Sequence, residues 1–532
     1  MRPKILPPFP PVNAKLGPFR TQKLRRSFCV RADTKTPTQL LCPAWYSGAV
    51  DRQGNLERLR RERFEVLIVG GGITGCGIAL DAASRGLKTA LVDKGDFSSG
   101  TSSKSSKLIH GGLRYLKQLQ FKVTLEASRE KALLKRLAPH LVEDLPFLLP
   151  LWSRATRALI SPGLWIYDAA AGFPKGLIHK HLKAPEALEM LPTLRADGLE
   201  GAFVYYDARA DDCRLVLHVA KKASDLGAVL ANYVEVVEVT KGGVRTRDFE
   251  IAADRVINAT GVWCDQVRGG APTVRPSKGV HLIVPARRLG LTCAAMLPSP
   301  ADGRIIFLIP TDGQAIVGTT DTDYSGPLDR PRAETADVDY LLDRVNANLP
   351  GVALTRADVL STYAGLRPLL LDGADVPSKA SREHHLYEDP SGLITITGGK
   401  LTTYRRMAKQ VVDRLTRVRC RTRRIDLFAT DATDPLARAY GSEAGRIADR
   451  TPLAQGHVWG EVDFAVDREM AQTLTDVLAR RMRLVLYAGD RGASLAEPVA
   501  RRMAARLGWD SREIVRQIDA FHRDLAEAYP RP

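Results

Sequence analysis

The stretch from Phe64 to Leu116 limits this chain more than any other. Arg63-Phe-Glu-Val-Leu-Ile-Val is a β-branched apolar run, and Gly70-Gly71-Gly72-Ile73-Thr74-Gly75 follows it at once with the spacing G-x-G-x-x-G. Cys76 to Ser84 then reads as a helix. Glycines at that spacing let the backbone turn tightly and approach a pyrophosphate, whose charge rests on unpaired N–H groups at the positive end of the helix. A second strand, Lys88-Thr-Ala-Leu-Val-Asp93, puts an acid about 20 residues on, where a ribose hydroxyl needs an acceptor. Strand, turn, helix and acid together predict a doubly wound α/β domain that binds a dinucleotide carrying an ADP moiety.

The residues that follow narrow the choice. Thr101-Ser102-Ser103-Lys104-Ser105-Ser106-Lys107-Leu-Ile-His110-Gly111-Gly112-Leu-Arg114-Tyr115 is dense in hydroxyls, cations and glycines. Such a composition suits a loop wrapped around a polyanion and a flat ring. A solvated Ser-rich linker is the alternative, but linkers seldom run straight into Leu-Ile-His-Gly-Gly-Leu-Arg-Tyr-Leu.

These motifs, with Gly365-Leu-Arg367-Pro and Gly398-Gly399-Lys400-Leu401-Thr402-Thr-Tyr404 later in the chain, resemble the FAD-dependent, quinone-linked glycerol-3-phosphate dehydrogenases, in order from about Phe64 to Arg405. The resemblance implies FAD, oxidation of sn-glycerol 3-phosphate to dihydroxyacetone phosphate, and electron delivery to a membrane quinone. It also implies peripheral attachment to an anionic membrane surface on the cytoplasmic side, with a homodimer as one compatible assembly. The fold expected is a Rossmann-like FAD-binding domain of the glutathione-reductase/D-amino-acid-oxidase type, a mixed-sheet substrate domain and a helical C-terminal cap. The expected division is a basic extension over 1–63, a discontinuous FAD domain (64–115, 205–265, 360–425), an interleaved substrate domain (116–204, 266–359) and the cap over 426–532.

Composition sets outer limits. A chain of 532 residues exceeds one ordinary core. No apolar run approaches the ~20 residues that cross a bilayer. Seven scattered cysteines form no C-x-x-C pair and no zinc spacing, which favours a reducing compartment. Of the net charge of +18, residues 1–63 supply +10, from 14 Lys or Arg against 4 acids. That segment is read as largely disordered, and it fits a tail, a start placed too far upstream, or a transit peptide, which would make the protein mitochondrial. The remaining cations could attract an anionic substrate or lipid headgroups. No basic stripe is interleaved with aromatics, so no nucleic-acid partner is expected.

Further along, Gln118 to Leu137 has helical spacing and Leu145-Pro-Phe-Leu-Leu-Pro-Leu151 reads as core. Asp211 is placed to cap a helix over Asp212 to Leu226. Val256-Ile-Asn-Ala-Thr-Gly261 reads as a buried strand ending in a glycine that admits the cofactor. Asp321 and Asp323 lack further ligands and read as turn residues; no metal is expected and no EF-hand loop occurs. The pairs His179/His181 and His384/His385 read as exposed polar residues.

Oxidising a secondary alcohol needs a base for the hydroxyl proton and an acceptor for the hydride, so the protein must position and deprotonate. By resemblance Arg114, Arg367 and Lys400 take the substrate's anion and hydroxyls with Tyr115 beside them. His281 is the preferred general base, because imidazole titrates near neutrality. The resemblance gives Gly70 to Gly75, Asp93, Thr101 to Ser103, Ser106, Lys107, His110 to Gly112, Gly261 and Gly398 to Thr402 to the cofactor. Rival readings are a glycerophosphate oxidase that uses oxygen, an amine-oxidising flavoprotein of the same fold, and a non-catalytic flavin sensor.

Overall fold

Two sheets, each buried on both faces, account for most of the apolar residues. The computed structural model describes residues 51–112, 121–173, 175–298, 304–371 and 384–532, and residues 49–532 form one compact unit. The first sheet runs His384–Glu388, Ile394–Gly398, Glu250–Asn258, Arg63–Val69, Thr89–Val92, Val229–Ala231. Arg63–Val69 lies at its centre, parallel to both neighbours, with Val66 opposite Thr89 on one side and Arg255 on the other. Its last four residues are all buried, as a parallel strand covered on both faces requires. Helices Ile73–Ser84, Asp212–Asp225 and Tyr404–Val412 pack on one face. Asp211 accepts from Arg214 N at 2.7 Å, so the expected cap is present.

The opposite face corrects the reading of the N-terminal extension. Arg52–Arg61 is a helix, capped by Asp51, with Leu59 fully buried in the core of that face. The Asn55 side chain donates to Leu230 O at 2.9 Å and Arg52 Nε to Asn232 Oδ1 at 2.9 Å. Half of the helix is charged, and the two leucines that anchor it, Leu56 and Leu59, left little trace of periodicity.

The second, ten-stranded sheet runs Thr322–Asp323, Val274–Pro285, Gln314–Gly318, Ile305–Thr311, Ala294–Pro298, Val142–Leu151, Gly201–Ala210, Leu108–Ile109. Ser361–Leu370 pairs antiparallel along Val274–Pro285, from Val274 opposite Leu370 to Ile283 opposite Ser361. Leu108–Ile109, Ser361–Leu370 and the part of Gly201–Ala210 from Tyr205 onward fall in segments expected in the FAD domain but belong to this sheet. The chain passes repeatedly from one sheet to the other, and an apolar run does not say which sheet it joins.

Residues from 426 onward are largely helical, and their apolar side chains share a core with the second sheet. They are also tied to the first sheet by buried charges. Asp96, three residues past Asp93, accepts from Arg480 Nε at 2.6 Å and Arg481 Nη2 at 2.9 Å. Arg214 reaches Glu469 at 2.6 Å and Tyr233 reaches Asp476 at 2.6 Å. Taking one partner from such a set leaves a charge without compensation in a medium that cannot solvate it.

Candidate active site

The glycine turn is sterically determined. Gly70 has φ +114°, and a Cβ there would lie 2.6 Å from Ala259 O. A Cβ on Gly75 would lie 1.8 Å from Gly70 O, so this glycine closes the turn on itself. Gly72 differs, because a Cβ there meets nothing nearer than Ser102 Oγ at 3.2 Å. It faces open space at the start of the Ile73–Ser84 helix.

That space is a cleft of about 860 Å³, near the upper end of small-molecule sites. Of the residues expected to hold the cofactor, Gly70, Gly72, Ile73, Thr74, Asp93, Thr101, Ser102, Gly261 and Gly398 to Leu401 line it, Lys400 included. Ile73 N donates to Ser102 Oγ at 3.0 Å, and that hydroxyl keeps a proton to offer the cleft. Asp93 accepts from Gly71 N at 2.6 Å and Gly95 N at 2.7 Å. Burial, with help from Asp96, pushes its carboxyl up to about 6 against the pull of those two N–H groups. A long groove with a helix N-terminus, a hydroxyl loop and an acid at one end fits FAD.

The remaining expected contacts do not line this cleft among the described residues. Gly71 lies under Phe97, and Gly75, Ser103, Ser106, Lys107, His110, Gly111, Gly112 and Thr402 do not line the cleft. Lys107 is the clearest correction. Its ammonium is buried against Asp212 at 2.7 Å and Ser103 O at 2.6 Å, so it braces the loop from within. Gly111 N donates to Tyr167 Oη at 2.8 Å, and Thr402 Oγ1 to His110 O at 3.4 Å. Arg114 and Tyr115 lie outside the described residues.

Sequence reasoning missed part of the lining: Glu235 to Val239, Lys94, Thr260, Trp263, Gln266 and Asp329. Lys94 lies 4.8 Å over the Trp263 ring and 2.5 Å from Asp329. Lys94, adjoining Asp93, and Thr260, adjoining Gly261, were open to inference from their positions in the chain.

A second cluster adjoins the cleft at two points. Ser105 and Pro368 line the cleft, and the neighbouring residues Ser106 and Arg367 belong to the cluster. His281 Nε2 is 2.8 Å from Ser106 Oγ, and the ring stacks on Tyr363 at 4.7 Å. Nδ1 has no hydrogen-bond partner among the described residues. Burial first, then the charges of Arg367 and Lys107, holds the imidazole well below its usual range, so it is neutral at pH 7. Arg367 lies over Gly279, where a Cβ would come within 2.4 Å of its guanidinium. It donates to Thr319 Oγ1 at 3.0 Å, Thr320 O at 3.2 Å and Asp321 Oδ1 at 3.1 Å.

Asp321 also accepts from Ser277 Oγ at 2.5 Å, and Asp323 holds Arg275 at 2.6 Å. Both acids anchor the Val274–Pro285 strand rather than simply shaping a turn. His179 is buried, not exposed, with Nδ1 2.6 Å from Asp168.

The chain can be set against known proteins. The family model for FAD dependent oxidoreductases matches residues 65–405, and that for the C-terminal domain of alpha-glycerophosphate oxidase matches 392–514. A glycerol-3-phosphate dehydrogenase of Mycobacterium leprae is 39% identical, over 90% of this chain and 91% of its own length. An aerobic glycerol-3-phosphate dehydrogenase of Bacillus subtilis is 34% identical over 90% of this chain and 98% of its own. The crystal structure of the Bacillus halodurans glycerol-3-phosphate dehydrogenase complexed with FAD superposes with a TM-score of 0.74 at 30% identity, covering 90% of this chain and 98% of that one. Two-sheet architecture, glycine-turn cleft and helical C-terminal region thus agree with similarity along most of the sequence: the chain belongs to the FAD-dependent glycerol-3-phosphate dehydrogenase family.

Proposed function

We propose that this protein oxidises sn-glycerol 3-phosphate to dihydroxyacetone phosphate and passes the electrons to a membrane quinone. The observation that carries this reading is a guanidinium and a neutral imidazole held together one residue from the FAD cleft. Arg367 presents a planar fork, fixed in orientation by Asp321 and Thr319, that suits a phosphate's oxygens. Lys400, at the cleft wall, adds a point charge for the substrate's anion or hydroxyls, and Arg114 and Tyr115 take the places that the family resemblance gives them. His281, bonded through Nε2 to Ser106 Oγ beside the cleft-lining Ser105, is the neutral base that takes the proton of the substrate's secondary hydroxyl. When bound, FAD supplies the hydride acceptor, N5.

The test is anaerobic. Glycerol 3-phosphate should bleach the yellow flavin of the holoenzyme, whereas glycerol and glycine should leave it unchanged. Bleaching by glycine alone would assign the site to an amine. An oxygen electrode run with and without a soluble quinone separates quinone from oxygen as acceptor, and peroxide formation that quinone does not suppress would favour an oxidase. Attachment on the cytoplasmic side of a membrane is part of the proposal. Among the described residues no helix is long and apolar enough to cross one.

Asp93 makes FAD affinity depend on pH. Its folded-state pKa of about 6 lies above the ordinary 3.8, so burial stabilises the protonated form and the apoprotein loses that stability as pH rises through 6. A ribose hydroxyl donating to the carboxylate acts in the opposite sense, because it favours the ionised form. FAD should therefore bind best above pH 6 and weaken below it, by up to about tenfold per pH unit. Flavin fluorescence reports the release, and Asp93→Asn should flatten the curve between pH 5 and 7.

A further inference from the structure

Strand Ser361–Leu370 is the bed on which the loop from Thr101 to Ser106 rests. Thr101 Oγ1 donates to Leu366 O at 2.6 Å, and a Cβ on Gly365 would come within 2.6 Å of Lys104 O, so loop and strand are in close contact. Tyr363 makes a further tie, its Oη donating to Ser105 O at 2.8 Å. Asp212 holds the same serine at two other atoms, accepting from the hydroxyl at 2.7 Å and from the N–H at 3.2 Å. A residue of the cleft wall is thereby fixed at its amide, its side chain and its carbonyl.

The same tyrosine supports the imidazole. Tyr363 and His281 stand opposite each other on antiparallel strands, both buried, with ring centres 4.7 Å apart and planes inclined by 11°. On the other neighbouring strand His281 faces Gly318, where a Cβ would lie 2.5 Å from the imidazole Cδ2. A histidine held by one hydrogen bond can still turn, because its outer side-chain torsion is broad. The stack on Tyr363 and the close backbone at Gly318 remove that freedom, and Nε2 is held 2.8 Å from Ser106 Oγ. Tyr363 therefore acts on both sides of the Ser106–His281 bond: its ring supports one partner, and its hydroxyl holds the residue before the other.

We propose that Tyr363 is the positioning residue for the base, fixing the plane of the His281 imidazole and holding Ser105 and Ser106 against it before glycerol 3-phosphate arrives. This inference rests on the reading of His281 as the base. The tyrosine itself moves no proton. Burial above all holds its phenol well above the ordinary range, so the hydroxyl stays protonated and keeps donating to Ser105.

The test is anaerobic rapid-mixing reduction of the FAD holoenzyme by glycerol 3-phosphate, followed across pH. Tyr363→Phe keeps the ring and loses the tie to Ser105; the limiting rate should fall about tenfold, with half-saturation by substrate within about twofold and the pH profile unchanged. Tyr363→Leu removes the stack and admits water. Because burial is the main cause that depresses the imidazole, its pKa should rise, and the rate should fall at least about a hundredfold and acquire an acid limb that the parent lacks near neutrality. Ser106→Ala combined with Tyr363→Phe should lose less than the product of the two single losses, since both act on one bond. Flavin absorbance and melting temperature check that each variant is folded and loaded; should Tyr363→Leu lose its flavin, Tyr363→Phe and the double variant decide. Parent-like rates in the Tyr363 variants beside a slow His281→Asn overturn the role of Tyr363 and leave the base in place. Rapid reduction by His281→Asn removes the base and the proposal with it. A loss in Tyr363→Phe that lies wholly in substrate binding, or strict multiplication in the double variant, also overturns it.

Discussion

Arg367→Ala is expected to lower kcat/KM for glycerol 3-phosphate by roughly thirty- to several-thousand-fold while FAD stays bound, because truncating one side of a desolvated charge pair costs about 2–5 kcal/mol. The guanidinium is largely buried, and its bonds to Thr319, Thr320 and Asp321 fix its plane before substrate arrives. Lysine at this position should recover only part of the loss, since a point charge cannot form the fork. A second readout distinguishes this from damage to folding. Arg367 helps to depress the His281 imidazole, so its removal lets that pKa climb. Below the raised value the imidazole is protonated and cannot act as base, so residual activity should acquire an acid limb that the parent lacks near neutrality. Unchanged turnover would remove Arg367 from the site.

Two glycines of one turn should fail in different ways. Gly72→Val is expected to give a soluble, folded and colourless protein. Backbone at Gly72 is extended, with φ −77° and ψ −179°, and its added Cβ touches only Ser102 before entering the cleft. FAD affinity should fall by at least about a hundredfold, or about 3 kcal/mol. Gly75→Val should not reach that stage, since its Cβ would lie 1.8 Å from Gly70 O and the turn could not close. Low yield and an early melting transition are expected, by overpacking at the join of strand and helix. A yellow, flavin-loaded Gly72→Val protein would contradict the position of the pyrophosphate.

The legible parts of the chain were those in which neighbours in sequence stay neighbours in space. The turn from Gly70 to Gly75, the strand ending at Asp93, the Asp211 cap and the strand and turn around Gly398 are local, and their residue types carry their own geometry. What escaped depends on partners far along the chain. Lys107 has the composition of a cofactor ligand, but Asp212 takes its ammonium. His179 reads as a surface residue until the chain returns it to Asp168. Ser361–Leu370 is as apolar as a strand of either sheet, and only its register with Val274–Pro285 assigns it. Arg52–Arg61 is too charged to announce itself, and it folds because two leucines and two polar side chains find the sheet edge. Glu235 to Val239 carried no signal beyond a strand pattern, yet it forms one side of the cleft.

The brace on Asp96 has a consequence for biosynthesis. Arg480 lies 384 residues after the acid it holds, and at the usual ribosomal pace of about 5–20 residues per second that gap takes roughly 20–80 s. During that interval a nascent chain displays its fingerprint turn with the adjoining loop still unpinned. Capture of the flavin in its final grip must therefore wait until translation has delivered the helical region, whatever encounters occur earlier.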